Sequence, residues 1–219
     1  AAPAAVEPRQ VEAPAQQLLI TKSLPEIRRL RANGIEAGEL RTPRAFSANQ
    51  HDLPWALDND GYQGVDYPMW LRALGRVGGQ TGCLFVVAPD VVGDAKETMR
   101  LFARYAPVIR DCGLPVALAV QDGIASVGVP WDQLDAVFLA GTTEFKMGAH
   151  MASVAKRAKE RGKWVHMGRV NTQRRITYAN AIGCDSIDGS KWSRFTDTYM
   201  HQLHALPFAQ GMLVGEDGR

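Results

Sequence analysis

The feature that most constrains this chain is a regular alternation of short apolar, β-branched runs with helical segments, clear from about residue 54 onward. The runs are WAL (55–57), CLFVVA (83–88), PVALAV (115–120), DAVFLA (135–140), KWVHM (163–167) and DSI (185–187). Between them lie helix signals. Asp94 to Glu97 resembles a capping box. Met99, Phe102, Ala103, Ala106 and Ile109 then recur at helical spacing, and Gly113 can end that helix. Met147, Met151, Val154, Ala155 and Ala158 form a second stripe, stopped near Gly162. Ile176, Ala179 and Ile182 form a third, stopped at Gly183. Near-continuous apolar strands separated by helices imply a parallel sheet covered by helices. Upstream, LLITK (18–22) and RAFSA (44–48) supply two more strands. Eight is the number that closes a (β/α)₈ barrel, so the expected fold is α/β, a single compact TIM-like barrel. The alternative is a doubly wound open sheet. It gains no support from nucleotide-binding loops, because neither GxGxxG nor GxxxxGK[ST] occurs.

A length of 219 residues fits one domain with appendages. Residues 1–15, rich in Ala and Pro, read as a flexible arm. The barrel is expected over 16–210, and 211–219 as a loose tail. No run of about 18 apolar residues occurs, so no membrane span is expected. Cys83, Cys112 and Cys184 are scattered, which argues against a disulfide framework and for a reducing, cytoplasmic setting. A net charge of +2 is too small to name a partner.

Function is expected where the strands end, because barrel chemistry collects at that rim. Six runs are each followed by polar residues: Asp58 to Gly64, Asp90, Gln121 with Asp122, Gly141 to Glu144, Gly168 with Arg169, and Asp188 to Lys191. Turns and caps alone collect Asp and Gly, but six matching strand ends favour a site. The histidines show no HxH or HExxH spacing, so no metal is expected. His166, inside a run, reads as a core residue or a supporting one rather than a ligand. No GxSxG elbow occurs. The remaining groups are carboxylates: Asp58, Asp60, Asp90, Asp122, Glu144 and Asp188. Paired carboxylates suit chemistry at an anomeric carbon, and a carboxylate beside a glutamine suits a purine edge.

These residues also resemble a known family. Asp58-Asn59-Asp60-Gly61-Tyr62-Gln63 is similar to the DSGG(F/Y)Q motif of tRNA-guanine transglycosylases. Gln121 with Gly123 is similar to their VQGG strand, Leu139-Ala140-Gly141 with Glu144 to their GGL(A/S)xGE loop, and Met167-Gly168 to their MG strand. Gly183 to Asp188 is similar to their GxDxFD motif. Order and spacing agree across roughly residues 54–194. The chain looks most like the short phage proteins of that group, some of whose relatives place 7-deazaguanines in DNA. The resemblance implies a (β/α)₈ barrel that exchanges guanine for a 7-deazaguanine in nucleic acid without a cofactor. It implies Asp188 as the nucleophile at C1′ and Asp58 as the proton-handling group. It implies Tyr62 and Met167, with Gly168, against the two faces of the base, and Asp90, Gln121 and Gly141 at its edge. The partners implied are the free 7-deazaguanine base and DNA or tRNA. No cysteine follows Arg194, so the family's zinc-binding subdomain is expected to be missing, which favours DNA over tRNA.

The segment 156–175 carries Lys156, Arg157, Lys159, Arg161, Lys163, Arg169, Arg174 and Arg175 against Glu160 alone. It reads either as a solvated helix face or as a phosphate track, with Lys191 and Arg194 beside it. Arg169, at a strand end, is the expected contact to the phosphate next to the reacting sugar. A second cluster of basic residues, over 22–44, adds to the same expectation.

Overall fold

The computed structural model describes residues 16–45 and 47–198. The expected arm (1–15), the end of the expected barrel (199–210) and the expected tail (211–219) lie outside the described residues. Eight parallel strands close a barrel in chain order: β1 (Gln17–Ile20), β2 (Ala37–Arg41), β3 (Trp55–Leu57), β4 (Cys83–Val87), β5 (Val116–Val120), β6 (Ala136–Leu139), β7 (Trp164–Met167) and β8 (Ser186–Asp188). The ring is sealed by β1, which pairs with β2 on one side and β8 on the other. The TIM-like barrel is therefore present, and the open-sheet alternative falls.

The helices are α1 (Leu24–Ala32), α2 (Tyr67–Val77), α3 (Ala95–Asp111), α4 (Ile124–Val127), α5 (Thr143–Lys146), α6 (Ala149–Lys159), α7 (Gln173–Ala181) and α8 (Ser190–Arg194). α3 shows why such segments are helical. The Asp94 carboxylate accepts from the Glu97 N–H at 2.9 Å, satisfying an otherwise unpaired donor of the first turn. Leu101, Phe102, Tyr105, Ala106 and Ile109 are buried on one face. Gly113 follows with φ +71°, a left-handed position that stops the helix cheaply. α6 begins only at Ala149, so Met147 precedes the stripe assigned to it.

Strand alternation sorts the core into two layers. Leu18, Leu57, Val86, Leu118, Val137, Val165, Met167 and Ile187 point outward under the helices. Leu19, Leu40, Ala56, Phe85, Val87, Ala117, Ala119, Ala136 and Ala140 fill the barrel, joined by Phe138 and Trp164. The rings of Phe85, Phe138 and His166, from β4, β6 and β7, pack together in the interior, and the small Ala119 lies level with Phe138 at the base of the cleft.

The second strand departs from expectation. It is Ala37–Arg41, not RAFSA (44–48), which contributes no described strand residue. The hydrophobicity pattern hides it, because AGELR carries two charges. Gly38 is needed at its inward position: a Cβ there would come within 2.7 Å of the Pro54 carbonyl and 2.9 Å of Leu19. Glu39 and Arg41 occupy the outward positions, and no described helix lies between β2 and β3. The gap is filled by polar groups. The fully buried Arg41 donates to Glu39 Oε2 (2.7 Å), Gln80 Oε1 (2.9 Å) and the Asn49 carbonyl (3.0 Å), and its guanidinium lies 4.2 Å over the Trp55 ring. His51 Nε2 sits 2.7 Å from the same Glu39 oxygen. Glu39→Ala is expected to cost about 3–5 kcal/mol in urea unfolding, because it strands a buried guanidinium. A loss below about 1 kcal/mol would show that Arg41 finds solvent instead.

Candidate active site

The strand ends frame one cleft of about 570 Å³, including its open mouth. Asp58, Asn59, Tyr62, Asp90, Gln121, Gly141, Arg169 and Asp188 are among its lining residues, with Ala119 and Phe138 at its base. Asp58, Gln121 and Asp188 are aimed inward by parity. They share the pleat of Ala56, Ala119 and Ser186 on β3, β5 and β8.

Asp188 ends β8, and each of its oxygens has a donor. Oδ1 accepts from the Arg169 backbone N–H at 3.1 Å, and Oδ2 lies 3.0 Å from His166 Nε2. Gly168 leaves room for this carboxylate: a Cβ there would stand 3.2 Å from Oδ2 and 2.6 Å from Phe138. Asp58 is less well served. Its only described donor is the N–H of the next residue, Asn59, at 2.7 Å. Burial, then the negative charges of Asp188 and Asp60, push its carboxyl up to about 8. That rise favours a proton on Asp58, next to an Asp188 whose two oxygens both have donors. Two like groups in such unequal surroundings suit different roles in proton chemistry.

The opposite wall is a polar lattice. Asp90 Oδ1 accepts from Asn59 Nδ2 at 2.8 Å, and Oδ2 accepts from Gln121 Nε2. Gln121 Oε1 in turn accepts from the Gly93 N–H at 2.9 Å. Burial raises the Asp90 carboxyl, and the two amide donors oppose that rise. Asn59 also donates to the Ala88 carbonyl at 2.7 Å and accepts from the Gly61 N–H at 2.6 Å, which fixes the turn that presents Tyr62. Asp90 and Gln121 both line the cleft, and beyond this lattice Asp90 keeps unused lone pairs and Gln121 one N–H.

Arg169 closes the mouth. Its backbone is left-handed (φ +58°), which points its N–H at Asp188 while the side chain returns across the opening. The guanidinium donates to the Gly141 carbonyl at 2.5 Å and lies 4.5 Å over the ring of Tyr62, itself 71% exposed. The sequence assigns Arg169 to a phosphate. In this conformation it is held by Tyr62 and Gly141 instead.

Three placements differ from expectation. Met167 does not face the cleft. It is fully buried in the outer layer, one residue out of phase with the inward His166 and Gly168. The surface opposite Tyr62 is Arg169. Glu144 is exposed on α5 and absent from the cleft wall. Asp122 serves the fold, accepting from the Thr142 N–H (2.8 Å) and hydroxyl (2.7 Å). His166, read as a core or supporting residue, supports Asp188, whereas the sequence gives no signal for Asn59 or Lys146. Lys146 is buried and donates to the Gly168 carbonyl at 2.7 Å, where burial and Arg169 push its amine down to about 7 against the pull of Asp188.

Compared with protein-family models and with curated proteins, the chain matches none. Among the described residues no group of three His, Cys, Asp or Glu side chains is placed to hold a metal ion, and no helix is long and apolar enough to cross a membrane.

The basic track splits in two. Lys156, Arg157, Lys159, Arg161 and Lys163 follow α6 toward the start of β7, the end of the barrel remote from the cleft. There Lys159 pairs with Asp185, and Arg161 lies 5.0 Å over Trp131. Arg169, Arg174 and Arg175 follow β7 at the cleft end, where Arg175 donates to the Arg169 carbonyl (2.8 Å) and to Thr143 Oγ1 (3.1 Å). The basic residues over 22–44 are largely committed: Lys22 to Glu26, Arg28 to Asp52, Arg29 to Asp197, Arg31 to Glu36, Arg44 to Asp60, and Arg41 inside. A second hollow adjoins the cleft at Asp188, Asp60 and Gln63. It is lined by Thr21, Thr42, Ser190, Ser193, Arg44 and Arg194. Lys191 sits beside it on α8, its N–H donating to Asn171 Oδ1 at 2.9 Å.

Proposed function

We propose that the chain is a base-exchange transglycosylase that replaces guanine in nucleic acid with a 7-deazaguanine. The observation that carries the reading is two carboxyls of unequal surroundings in one cleft: Asp188 with a donor on each oxygen, and Asp58 buried with one local donor and pushed up to about 8. The Asp90–Gln121 lattice supports it by offering acceptors and a donor to a purine edge. The adjoining hollow, with its hydroxyls and guanidiniums, suits the sugar and phosphate of the same nucleotide.

In the first half-reaction, Asp188 attacks C1′. The bond from C1′ to the base nitrogen breaks, its electron pair stays on guanine, and Asp58 gives guanine a proton. The product is a glycosyl ester on Asp188. In the second half-reaction, Asp58, now a carboxylate, takes the ring N–H proton of the incoming base. The freed nitrogen attacks C1′, and Asp188 leaves as a carboxylate. The covalent ester keeps the sugar committed while the bases change places. A duplex target must be flipped or single-stranded to reach such a cleft.

The test is incorporation of radiolabelled guanine or 7-cyano-7-deazaguanine into duplex DNA, single-stranded DNA and tRNA, side by side. Label entering one polymer supports the reading and names the substrate. Base release without uptake indicates an N-glycosidase. Binding without either indicates a non-catalytic nucleic-acid or base-binding protein.

A further inference from the structure

Beneath Asp188 the barrel interior holds a polar chain that the exchange chemistry does not itself require. Trp164, His166 and Ser186 all point inward from β7 and β8. His166 and Ser186 are fully buried. Trp164 Nε1 lies 2.8 Å from Ser186 Oγ, Ser186 Oγ lies 2.8 Å from His166 Nδ1, and His166 Nε2 lies 3.0 Å from Asp188 Oδ2. The rings of Phe85 and Phe138 flank the imidazole at 5.0 and 4.8 Å.

Donor chemistry fixes the direction of this chain. An indole N–H only donates, so Trp164 donates to Ser186. Ser186 has one hydroxyl proton, and His166 Nδ1 is its only described acceptor. Nδ1 is then the bare nitrogen, and the ring proton sits on Nε2. An ionised carboxylate only accepts, so Nε2–H donates to Asp188. This assignment satisfies every buried group, whereas a proton on Nδ1 leaves the serine hydroxyl without an acceptor.

Resting on the base-exchange reading, we infer that Trp164, Ser186 and His166 act as positioning residues for Asp188. The chain fixes His166 in its Nε2–H form and aims that donor at Oδ2. Together with the Arg169 N–H on Oδ1, it gives each oxygen of Asp188 a donor and holds the carboxyl in one orientation at the cleft floor. The two carboxylates differ in the donors they are given: two for Asp188, a single local one for Asp58. Hydrogen bonds to the charged form favour it.

Two measurements test this. In ¹⁵N-histidine-labelled protein, His166 is expected to show a protonated Nε2 and a bare Nδ1, and Ser186→Ala is expected to mix the two tautomers. A dominant Nδ1–H signal in the wild type overturns the chain. Kinetically, His166→Phe keeps an aromatic ring among Phe85 and Phe138 but removes the donor. It is expected to lower kcat about 10- to 100-fold, the worth of a hydrogen bond to a charged group, with KM for the free base within about threefold. His166→Gln, which returns an N–H, is expected to recover most of the rate. Equal loss in both variants, or a change confined to KM, overturns the positioning role. A wild type with the Nε2–H signature but no exchange on any polymer removes the base-exchange reading and leaves the donor chain standing.

Discussion

Asp188→Asn is expected to abolish base exchange, by at least ~10⁴-fold or about 5.5 kcal/mol of barrier, while leaving the fold and nucleic-acid affinity within a few-fold of wild type. The amide keeps the shape of the carboxylate and an oxygen for the Arg169 N–H. It loses the nucleophilic oxygen pair, and it turns N–H groups toward the N–H of His166. The direct check is the covalent ester. Wild-type protein mixed with target polymer, without incoming base, should yield a denaturant-stable protein–nucleic acid species, and the variant should yield none. Turnover retained in Asp188→Asn would remove Asp188 as the attacking group.

The second large effect belongs to Asp58. As a general acid it works only while protonated, so kcat is expected to hold below pH 8 and fall as pH rises through about 8. Asp58→Asn cannot transfer a proton and should lose roughly 10²–10⁴-fold, with the alkaline fall gone from its residual rate. Lys146 titrates near 7, so a step that persists in Asp58→Asn belongs to that amine. The substitution moves stability the opposite way from activity. The Asp58 carboxyl is raised in the native state, whereas the unfolded chain ionises near pH 4. The native protein thus binds a proton that the unfolded chain releases, and stability is lost as pH rises from about 4 to about 8. Asp58→Asn removes that loss. Its Tm should match wild type near pH 4 and exceed it at pH 8. A variant that gains activity while losing stability would assign Asp58 to the fold.

Most of the fold is legible in the sequence because seven strands are apolar runs and the helices carry caps and stripes. β2 is not legible that way. Its charges are buried against each other rather than exposed, and only the tertiary pairing of Glu39, Arg41 and His51 makes AGELR a strand. The carboxylates of the site were readable as strand-end residues. Their unequal states were not, since those depend on donors more than 15 residues away in the chain. Strand parity would have turned Met167 outward: once Gly168 and His166 face the interior, the residue between them cannot. Arg169 is unreadable for a different reason. Its backbone is left-handed, a choice that arginine shows no tendency to make on its own.

The seam of the barrel bears on the order in which this molecule becomes competent. β8, which carries Asp188, is flanked on one side by β1, and Gln16 reaches across that seam to the Cys184 carbonyl over a separation of 168 residues. Closing so long a loop costs more entropy than any neighbouring strand pair, so it is a late event on any folding route. A nascent chain presents β1 through β6, with Asp58, Asp90 and Gln121, before Asp188 is synthesised. Asp188 arrives with the strand that seals the ring, so under the proposed exchange chemistry a partly synthesised chain has the residues proposed to hold the base and lacks the one proposed to attack the sugar.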